Sequence, residues 1–200
     1  MRPLKVVMTN LSEDPLEQLQ APMHPNLDMG NRALPFTREI YIDQNDFKEE
    51  YSKKLNKKLS PGKRVRLRNG YVIEAIDFVK NDSGEVVQVN ANLVPDTLGT
   101  DPADGVKPKG VVHWVSAQYC VDCDVYLYDR LFSDPLPDAG DKNFLDAINP
   151  DSLQILTGCK TEVGLMQKQG SHINLRGKAI FVRTVRTAVL KGWCLTRPSH

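Results

Sequence analysis

The stretch that decides the fold is YVIEAIDFVKNDSGEVVQVNANLV, residues 71–94. Two runs in which apolar and polar residues alternate flank the tetrapeptide NDSG at 81–84. Alternation with a period of two is typical of half-buried β-strands. Asn, Asp and Gly tolerate the positive φ angles that a tight turn requires. The stretch therefore predicts a β-hairpin with its turn at NDSG.

Further short strands are predicted on both sides of this hairpin. Runs of β-branched and aromatic residues, bounded by Gly, Pro, Asn and Asp, occur at KVVMTN (5–10), REIYID (38–43), VRLR (65–68), GVVHWVSA (110–117) and VDCDVYLYD (121–129). One helix is predicted in DFKEEYSKKLNKKL (46–59), where Asp46 and Glu49 match a capping box and lysines accumulate toward the end. The predicted fold class is all-β with one short helix.

The composition sets the size and the compartment that we expect. With 200 residues, 40% of them hydrophobic and 26% charged, the chain can bury the core of one domain or of two small ones. No window approaches the roughly 18 to 20 apolar residues of a membrane helix. The start, MRPLKVVMTN, lacks the apolar core of a signal peptide. We therefore expect a cytoplasmic protein without a membrane partner.

Sequence motifs of catalysis and of metal binding are missing. The chain has no phosphate-binding loop, dinucleotide fingerprint, zinc-protease motif or serine elbow. Cys120 and Cys123 form a single CxxC in an alternating stretch, which places the two thiols on opposite faces or at a kink, and no second ligand pair follows. Asp101 and Asp104, in DPADG, are expected to set turns. We expect no catalytic residue, no metal and no cofactor in this chain.

The richest candidate binding site is the basic stretch KKLNKKLSPGKRVRLRNGYV, residues 53–72. Arg66 and Arg68 lie two apart in a predicted strand, so their side chains leave the same face about 6 to 7 Å apart, near the spacing of nucleotides in a single strand. Guanidinium groups can bond base edges bidentately or stack on them. Lys57, Lys58 and Lys63 would then supply charge toward phosphates. The alternative is a solvated basic face without a ligand.

Five long stretches carry a resemblance to a known family. MHPNLDMGNRALPFTREIYIDQNDFKEE, PGKRVRLRNGYVIEA, DPADGVKPKGVVHWVSA, VYLYDRLFSDPLP and INPDSL resemble the C-terminal anticodon-binding region of bacterial glutaminyl-tRNA synthetases. The resemblance runs from about residue 3 to about residue 171. It implies two tandem β-barrels like those of a ribosomal 5S RNA-binding protein. Residues 1–50 and 140–171 would form the proximal barrel, and residues 51–139 the distal barrel.

The resemblance also implies which residues bind the anticodon. By this likeness Arg66 and Arg68 contact the first anticodon base, and Lys57 and Lys58 serve the neighbouring and third positions. Asn26, in HPN, lies at the same surface. The family usually has Arg where this chain has Lys58, and the ammonium group of lysine lacks the forked donors of a bidentate contact. The implied partners are the anticodon stem-loop of tRNA(Gln) and the catalytic domain of the same enzyme, in a monomer.

The resemblance further implies an enzyme that attaches glutamine to tRNA(Gln) with ATP and Mg²⁺. The half that binds ATP and the amino acid would precede Met1, so we expect this chain to be a non-catalytic fragment that is inactive alone. Two alternatives stay open. The same barrels occur in a glutamate-tRNA ligase of related type, and a free-standing barrel protein could bind RNA without any catalytic half.

The end of the chain departs from the family pattern. After Glu162 there are seven Lys and Arg residues and no acid. The resemblance implies a QFER strand near residue 174, and shifting the reading frame from codon 172 permits Tyr-Gln-Phe-Glu-Arg. We therefore predict that 172–200 is an out-of-frame tail, which would leave the proximal barrel incomplete. The alternative is a genuine basic tail that binds RNA.

Overall fold

The computed structural model describes residues 2–12, 17–24, 26–52 and 56–163, and the backbone of 172–175 and 178–184. This part of the chain contains β-strands and short 3-10 turns, and no α-helix. The turns are Gln44–Asp46 and Phe144–Ala147. The strands are β1 (Pro3–Met8), β2 (Glu17–Pro22), β3 (Asn31–Phe36), β4 (Glu39–Asp43), β5 (Arg64–Leu67), β6 (Val72–Lys80), β7 (Val86–Val94), β8 (Val111–Val112), β9 (Trp114–Ser116), β10 (Cys120–Tyr128), β11 (Leu153–Glu162), β12 (His172–Leu175) and β13 (Lys178–Thr184).

The central element is a seven-stranded sheet in the order β8-β5-β6-β7-β1-β4-β9. Its two outermost strands, β8 and β9, are separated in sequence by His113 alone. Since one stretch of chain supplies both edges, the sheet curls into a nearly closed barrel. Closure of this kind removes the open edges along which flat sheets aggregate. The all-β prediction and the barrel are confirmed.

The hairpin at 71–94 forms as predicted. Strands β6 and β7 pair antiparallel, with Val72 opposite Val94. In the turn, the side chain of Asn81 accepts a hydrogen bond from the backbone N–H of Glu85 at 2.8 Å, and Gly84 has a φ of 78°. The Asn81 side chain therefore accepts from a backbone N–H group at the end of the hairpin, where the chain reverses.

The barrel core follows from the alternation along each strand. In β1, Leu4, Val6 and Met8 are buried and the residues between them are only half-buried. The other strands of the barrel bury alternate residues in the same way, and these side chains meet inside it: Ile40, Ile42, Val65, Leu67, Ile73, Ala75, Val89, Ala91, Val112 and Trp114. Each buried Val, Leu or Ile side chain stabilises the fold by about 1.5 to 3 kcal/mol relative to its exposed state.

Two smaller sheets complete the described structure. Strands β2 and β3 form a hairpin, and the other sheet has the order β11-β10-β13-β12. The sequence patterns did not predict β2, β3 or β11. The barrel combines strands of the segments 1–50 and 51–139, since β1 and β4 share its sheet with β5 to β9. The domain boundaries at 50 and 139 stay a prediction.

The predicted helix at 46–59 is wrong where the structure describes it. Phe47 is 4% exposed and forms a bridge with Leu59, next to hydrogen bonds that link Lys48 to Leu59 at 2.9 Å and Leu59 to Asp46 at 2.8 Å. These long-range bonds use the backbone groups that a helix would need, because burial of the apolar side chains outweighs local propensity. Residues 53–55 lie outside the described part.

The capping-box prediction is wrong as well. The residue that caps the 3-10 turn is Asp43, whose carboxylate accepts from the N–H of Asn45 at 2.9 Å. Asp46 is the last residue of that turn, and the backbone of Phe47 after it is extended with φ −111° and ψ 146°, so no helix begins at Asp46.

The CxxC lies in β10, where the pairing with β11 shifts register between Cys123 and Val125. Cys123 is buried opposite Cys159, and Cys120 is half-buried. Burial raises the pKa of the Cys123 thiol to about 11 and also raises the pKa of Cys120, so both thiols are poor nucleophiles near neutral pH.

The structure describes only the backbone of the two C-terminal strands, β12 and β13. The backbone of β13 pairs with β10, and β12 pairs with β13. The prediction of an out-of-frame tail falls mainly on residues outside the described part, and it stays a prediction.

Among the described residues, no helix has the length and apolar character needed to cross a membrane.

Candidate nucleic-acid interface

The basic face of the barrel is built on β5. Val65 and Leu67 are fully buried, so the alternation of the strand turns Arg64, Arg66 and Arg68 to the outside. Arg68 immediately follows the strand and is exposed, whereas Arg64 and Arg66 are half-buried. Three guanidinium groups therefore share one face, of which the sequence analysis selected two.

Arg66 is held by the segment that follows β7. Its Nη1 donates to the carbonyl oxygen of Thr97 at 2.6 Å, and its Nη2 donates to that of Thr100 at 2.5 Å. A weaker contact of 3.4 Å joins Nη2 to the carboxylate of Asp101. The side chain is only 20% exposed. The guanidinium direction is thus fixed, and no partner of the Nε–H group occurs among the described residues.

The guanidinium of Arg64 forms two ion pairs within the chain. It bonds Glu74 at 2.6 Å, and its Nη1 lies 2.6 Å from the nearer carboxylate oxygen of Asp104. The hydrogen bond to Glu74, followed by the one to Asp104, raises the pKa of Arg64. The side chain is 16% exposed, so its donors are largely unavailable to a ligand.

The DPADG segment has both the turn role that was predicted and an ionic role. Asp104 accepts from the N–H of Val106 at 3.0 Å, which sets the turn and lowers the pKa of Asp104 together with Arg64. Asp101 pairs with Lys107 at 2.7 Å, and this bond lowers the pKa of Asp101. The acids therefore neutralise the inner arginines of the face.

Arg68 is the arginine of this face whose side chain has no partner in the described part of the chain. Its backbone is nevertheless fixed at both polar groups. The N–H donates to Val112 at 2.9 Å, and the carbonyl oxygen accepts from Nε1 of Trp114 at 3.0 Å. Trp114 is itself 8% exposed and packs edge-on against Phe36. Among the described residues, Arg68 thus presents an unpaired guanidinium from a backbone that hydrogen bonds hold in place.

Lys57 is brought to this face by close backbone contact. A methyl group placed on Gly110 would lie 1.9 Å from the carbonyl oxygen of Lys57, so only glycine allows the two segments to touch. The carbonyl of Gly110 accepts from the N–H of Arg66 at 2.9 Å. Gly110 therefore links the segment of the exposed Lys57 to β5.

The other two predicted lysines have partners within the chain. Nζ of Lys58 donates to the carbonyl oxygen of Asn45. Nζ of Lys63 lies 4.5 Å from the ring centroid of Tyr51, and this lysine is exposed. A cation over an aromatic face keeps its charge, so Lys63 can still attract phosphate.

Asn26 lies in the loop that joins β2 and β3, outside the strand that carries the arginines. The imidazole of His24 organises this loop, because Nδ1 accepts from the N–H groups of Asn26 at 3.1 Å and Leu27 at 3.0 Å. Asn26 is exposed, and its side chain contacts none of the predicted basic residues among those described. The structure therefore links the backbones of Lys57 and Arg66 through Gly110 and places Asn26 on the β2–β3 loop.

Sequence reasoning missed three residues of this face. Arg64 could have been found, because the alternation that selected Arg66 and Arg68 includes it. Thr97 and Thr100 gave no signal, because they act through carbonyl oxygens that every residue has.

A shallow cavity of about 490 Å³ lies near the base of the face. Its lining includes Glu17, Phe36, Tyr71 and Asp96. The hydroxyl of Tyr71 donates to the carboxylate of Glu17 at 2.8 Å. Burial first, and this hydrogen bond second, raise the pKa of Tyr71 to about 12. The bond attaches β2 to the turn after β5.

The Tyr71 phenol should make stability depend on alkaline pH. Its pKa is higher in the folded chain, about 12 against 10.0, so its contribution is fully present below pH 10 and is lost as pH rises toward 12. Tyr71→Phe should be less stable than the parent by about 1 kcal/mol at neutral pH, and the difference should shrink across that window. Urea unfolding of both proteins at a series of pH values measures it. A difference that does not change with pH would contradict the assignment.

Metal binding has no candidate site in the described residues. Nowhere among them do three or more His, Cys, Asp or Glu side chains converge in a way that could hold an ion.

Comparisons with known proteins identify the family of this chain. Two sequence models, both described as the anticodon-binding domain of class I (E and Q) tRNA synthetases, match residues 1–94 and 111–174. The glutamine–tRNA ligase of Pseudomonas putida is 52% identical over 171 residues, which are 84% of this chain and 30% of that protein. The glutamine–tRNA ligase of Cupriavidus taiwanensis is 48% identical over 169 residues, or 84% of this chain and 28% of its own length.

The chain spans about 30% of the length of the curated relatives that it matches most closely among these. The match falls in their C-terminal region. The two family models together include β1 to β11 and most of β12, and hence the whole basic face except the segment 95–110. The chain belongs to the family of anticodon-binding domains of class I tRNA synthetases for glutamate and glutamine.

Proposed function

We propose that this chain binds the anticodon of tRNA(Gln), as the C-terminal part of a ligase that attaches glutamine to that tRNA with ATP. The observation that carries the proposal is the guanidinium of Arg68, which has no partner among the described residues, beside the oriented guanidinium of Arg66. Such a pair can bond the edges of unstacked bases, which is how proteins read single-stranded RNA. Relatives named glutamine–tRNA ligase, about half identical to this chain, support the choice of glutamine over glutamate.

In this proposal the residues of the face have different roles. Arg66 and Arg68 contact the first anticodon base through their remaining N–H donors. Lys57 and Lys58 serve the neighbouring and third positions, and Lys63 supplies charge toward phosphate. Asn26 contacts the RNA from the β2–β3 loop, so the anticodon would have to extend from β5 to that loop.

The remaining parts of the proposal concern the whole enzyme. ATP and Mg²⁺ act at the catalytic domain of the parent protein, which is the second partner of this chain. The enzyme is a cytoplasmic monomer. In this proposal, residues 172–200 are an out-of-frame tail.

Binding of short RNA hairpins tests the function directly. The chain is titrated with anticodon stem-loops that carry CUG or UUG, and with matched loops in which one anticodon base is replaced, while fluorescence anisotropy is followed. Each wrong base should weaken binding by about 1 to 3 kcal/mol. A hairpin with the anticodon of tRNA(Glu) distinguishes the two amino acids. Equal affinity for all hairpins would overturn anticodon recognition and leave only charge-driven binding.

A further inference from the structure

The segment after β7 is anchored by one buried hydroxyl. Thr97 is 0% exposed, and its Oγ1 donates to the carbonyl oxygen of Val94 at 2.7 Å while accepting from the N–H of Val72 at 2.9 Å. Val72 and Val94 are opposite each other at the end of the β6–β7 pairing. The hydroxyl thus satisfies two backbone groups exactly where the strands part, which fixes the position of Thr97 relative to the sheet.

The backbone of the same residue determines where Arg66 points. The carbonyl oxygen of Thr97 accepts from Nη1, and that of Thr100 accepts from Nη2. Thr100 is braced on the same turn, because its Oγ1 donates to the carbonyl oxygen of Asp96 at 2.6 Å. Asp96 has a φ of 55°, which the turn requires in order to bring its carbonyl groups round toward β5.

We infer that Thr97 is a positioning residue for base recognition, acting through Arg66. Its hydroxyl locks the turn to the barrel, and its carbonyl holds the guanidinium in one orientation before RNA arrives. A long side chain that is already ordered loses less conformational freedom on binding, and it bonds the correct base edge more selectively. The inference rests on the proposed function, since it assumes that Arg66 contacts the anticodon.

Thr97→Val and Thr97→Ser form a matched pair. Valine has nearly the size of threonine but lacks the hydroxyl, so two buried backbone groups lose their partner and the turn shifts from β5. Serine keeps the hydroxyl. Discrimination between the CUG hairpin and one changed at the first anticodon base should fall about five- to tenfold in Thr97→Val and by less than about twofold in Thr97→Ser. Affinity for an unrelated hairpin, and its salt dependence, should stay unchanged.

An Arg66→Ala background separates positioning from a general loss of structure. If Thr97 acts through Arg66, Thr97→Val should reduce discrimination no further once Arg66 is alanine, because the two changes remove the same contact. Additive losses would overturn the inference. Unchanged discrimination in a folded Thr97→Val protein would overturn it as well. If Arg66→Ala itself leaves discrimination unchanged, the fault lies in the proposed role of Arg66.

Thr100→Val covers the case in which Thr97→Val does not fold. Thr100 is exposed, so the substitution is tolerated, but it removes the brace to Asp96. Discrimination at the first base should then fall about two- to fivefold in the parent background and not at all in Arg66→Ala. A folded Thr100→Val protein with full discrimination would contradict the inference independently of Thr97.

Discussion

Gly110→Ala should destabilise the barrel by about 3 kcal/mol, the upper end of what added atoms cost in a packed interior. The new methyl group would lie 1.9 Å from the carbonyl oxygen of Lys57, 2.6 Å from its carbonyl carbon and 2.9 Å from its Cα. All three are backbone atoms, so no side-chain rotation relieves the clash. Either the segment that carries Lys57 or the chain before β8 must move. Urea unfolding, followed by circular dichroism, measures the loss.

The matched control for this substitution is Gly84→Ala. Gly84 has a φ of 78° and nothing within 4 Å of the added methyl group, so it reports the cost of backbone strain without a clash. That strain should cost about 1 kcal/mol. Equal unfolding midpoints for Gly110→Ala and the parent would show that Lys57 does not pass over Gly110. The inference that Gly110 links Lys57 to β5 would then be wrong.

Arg68→Ala should weaken recognition of the first anticodon base by about 1 to 3 kcal/mol, the usual discrimination of a good bidentate contact. Because the Arg68 side chain has no partner in the described part of the chain, its removal should change the free energy of unfolding by less than about 0.5 kcal/mol. Arg66→Ala should cause a similar loss of recognition together with a measurable loss of stability, since three acceptors lose their donor.

Arg64→Ala is the control from the same strand face. Its guanidinium is bound by Glu74 and Asp104, so the substitution should lower stability and leave anticodon discrimination intact. Lys63→Ala should instead weaken binding to every hairpin and lower the salt dependence of binding by about one phosphate contact. If Arg64→Ala changed discrimination as much as Arg68→Ala, the three arginines would act as a general basic patch, and the proposed division of roles would fail.

The strands that could be predicted are those whose own residues alternate. β6 and β7 were found from their alternation and turn, and β5 was found from VRLR. β2 alternates but contains only two buried apolar residues, Leu19 and Ala21, and β11 buries only Cys159, so their sequences carry little of the signal. The 46–59 segment shows the opposite error. Its residues do favour a helix locally. Phe47 and Leu59 are buried in the barrel, however, and their burial fixes a non-helical backbone.

The candidate site was likewise predictable only in part. The choice of Arg66 and Arg68 came from their spacing, because side chains two apart in a strand share a face whatever surrounds it. Which of the arginines is free could not be predicted. Arg64 is bound by residues 10 and 40 positions later in the chain and Arg66 by residues 31 to 35 positions later, and no local pattern indicates those contacts.

The sequence by itself determined the fold class, the basic strand and the family, because alternation, turn residues and long ordered motifs are local properties of the chain. Only the tertiary structure decided that β8 and β9 lie at the closing edges of the barrel, that Gly110 brings Lys57 to β5, and that Arg66 bonds the carbonyl of Thr97 while Arg68 has no side-chain partner among the described residues. These features depend on backbone groups that are brought together from distant positions. Every residue has such groups, so their partners are set by the packing of the barrel and not by residue type.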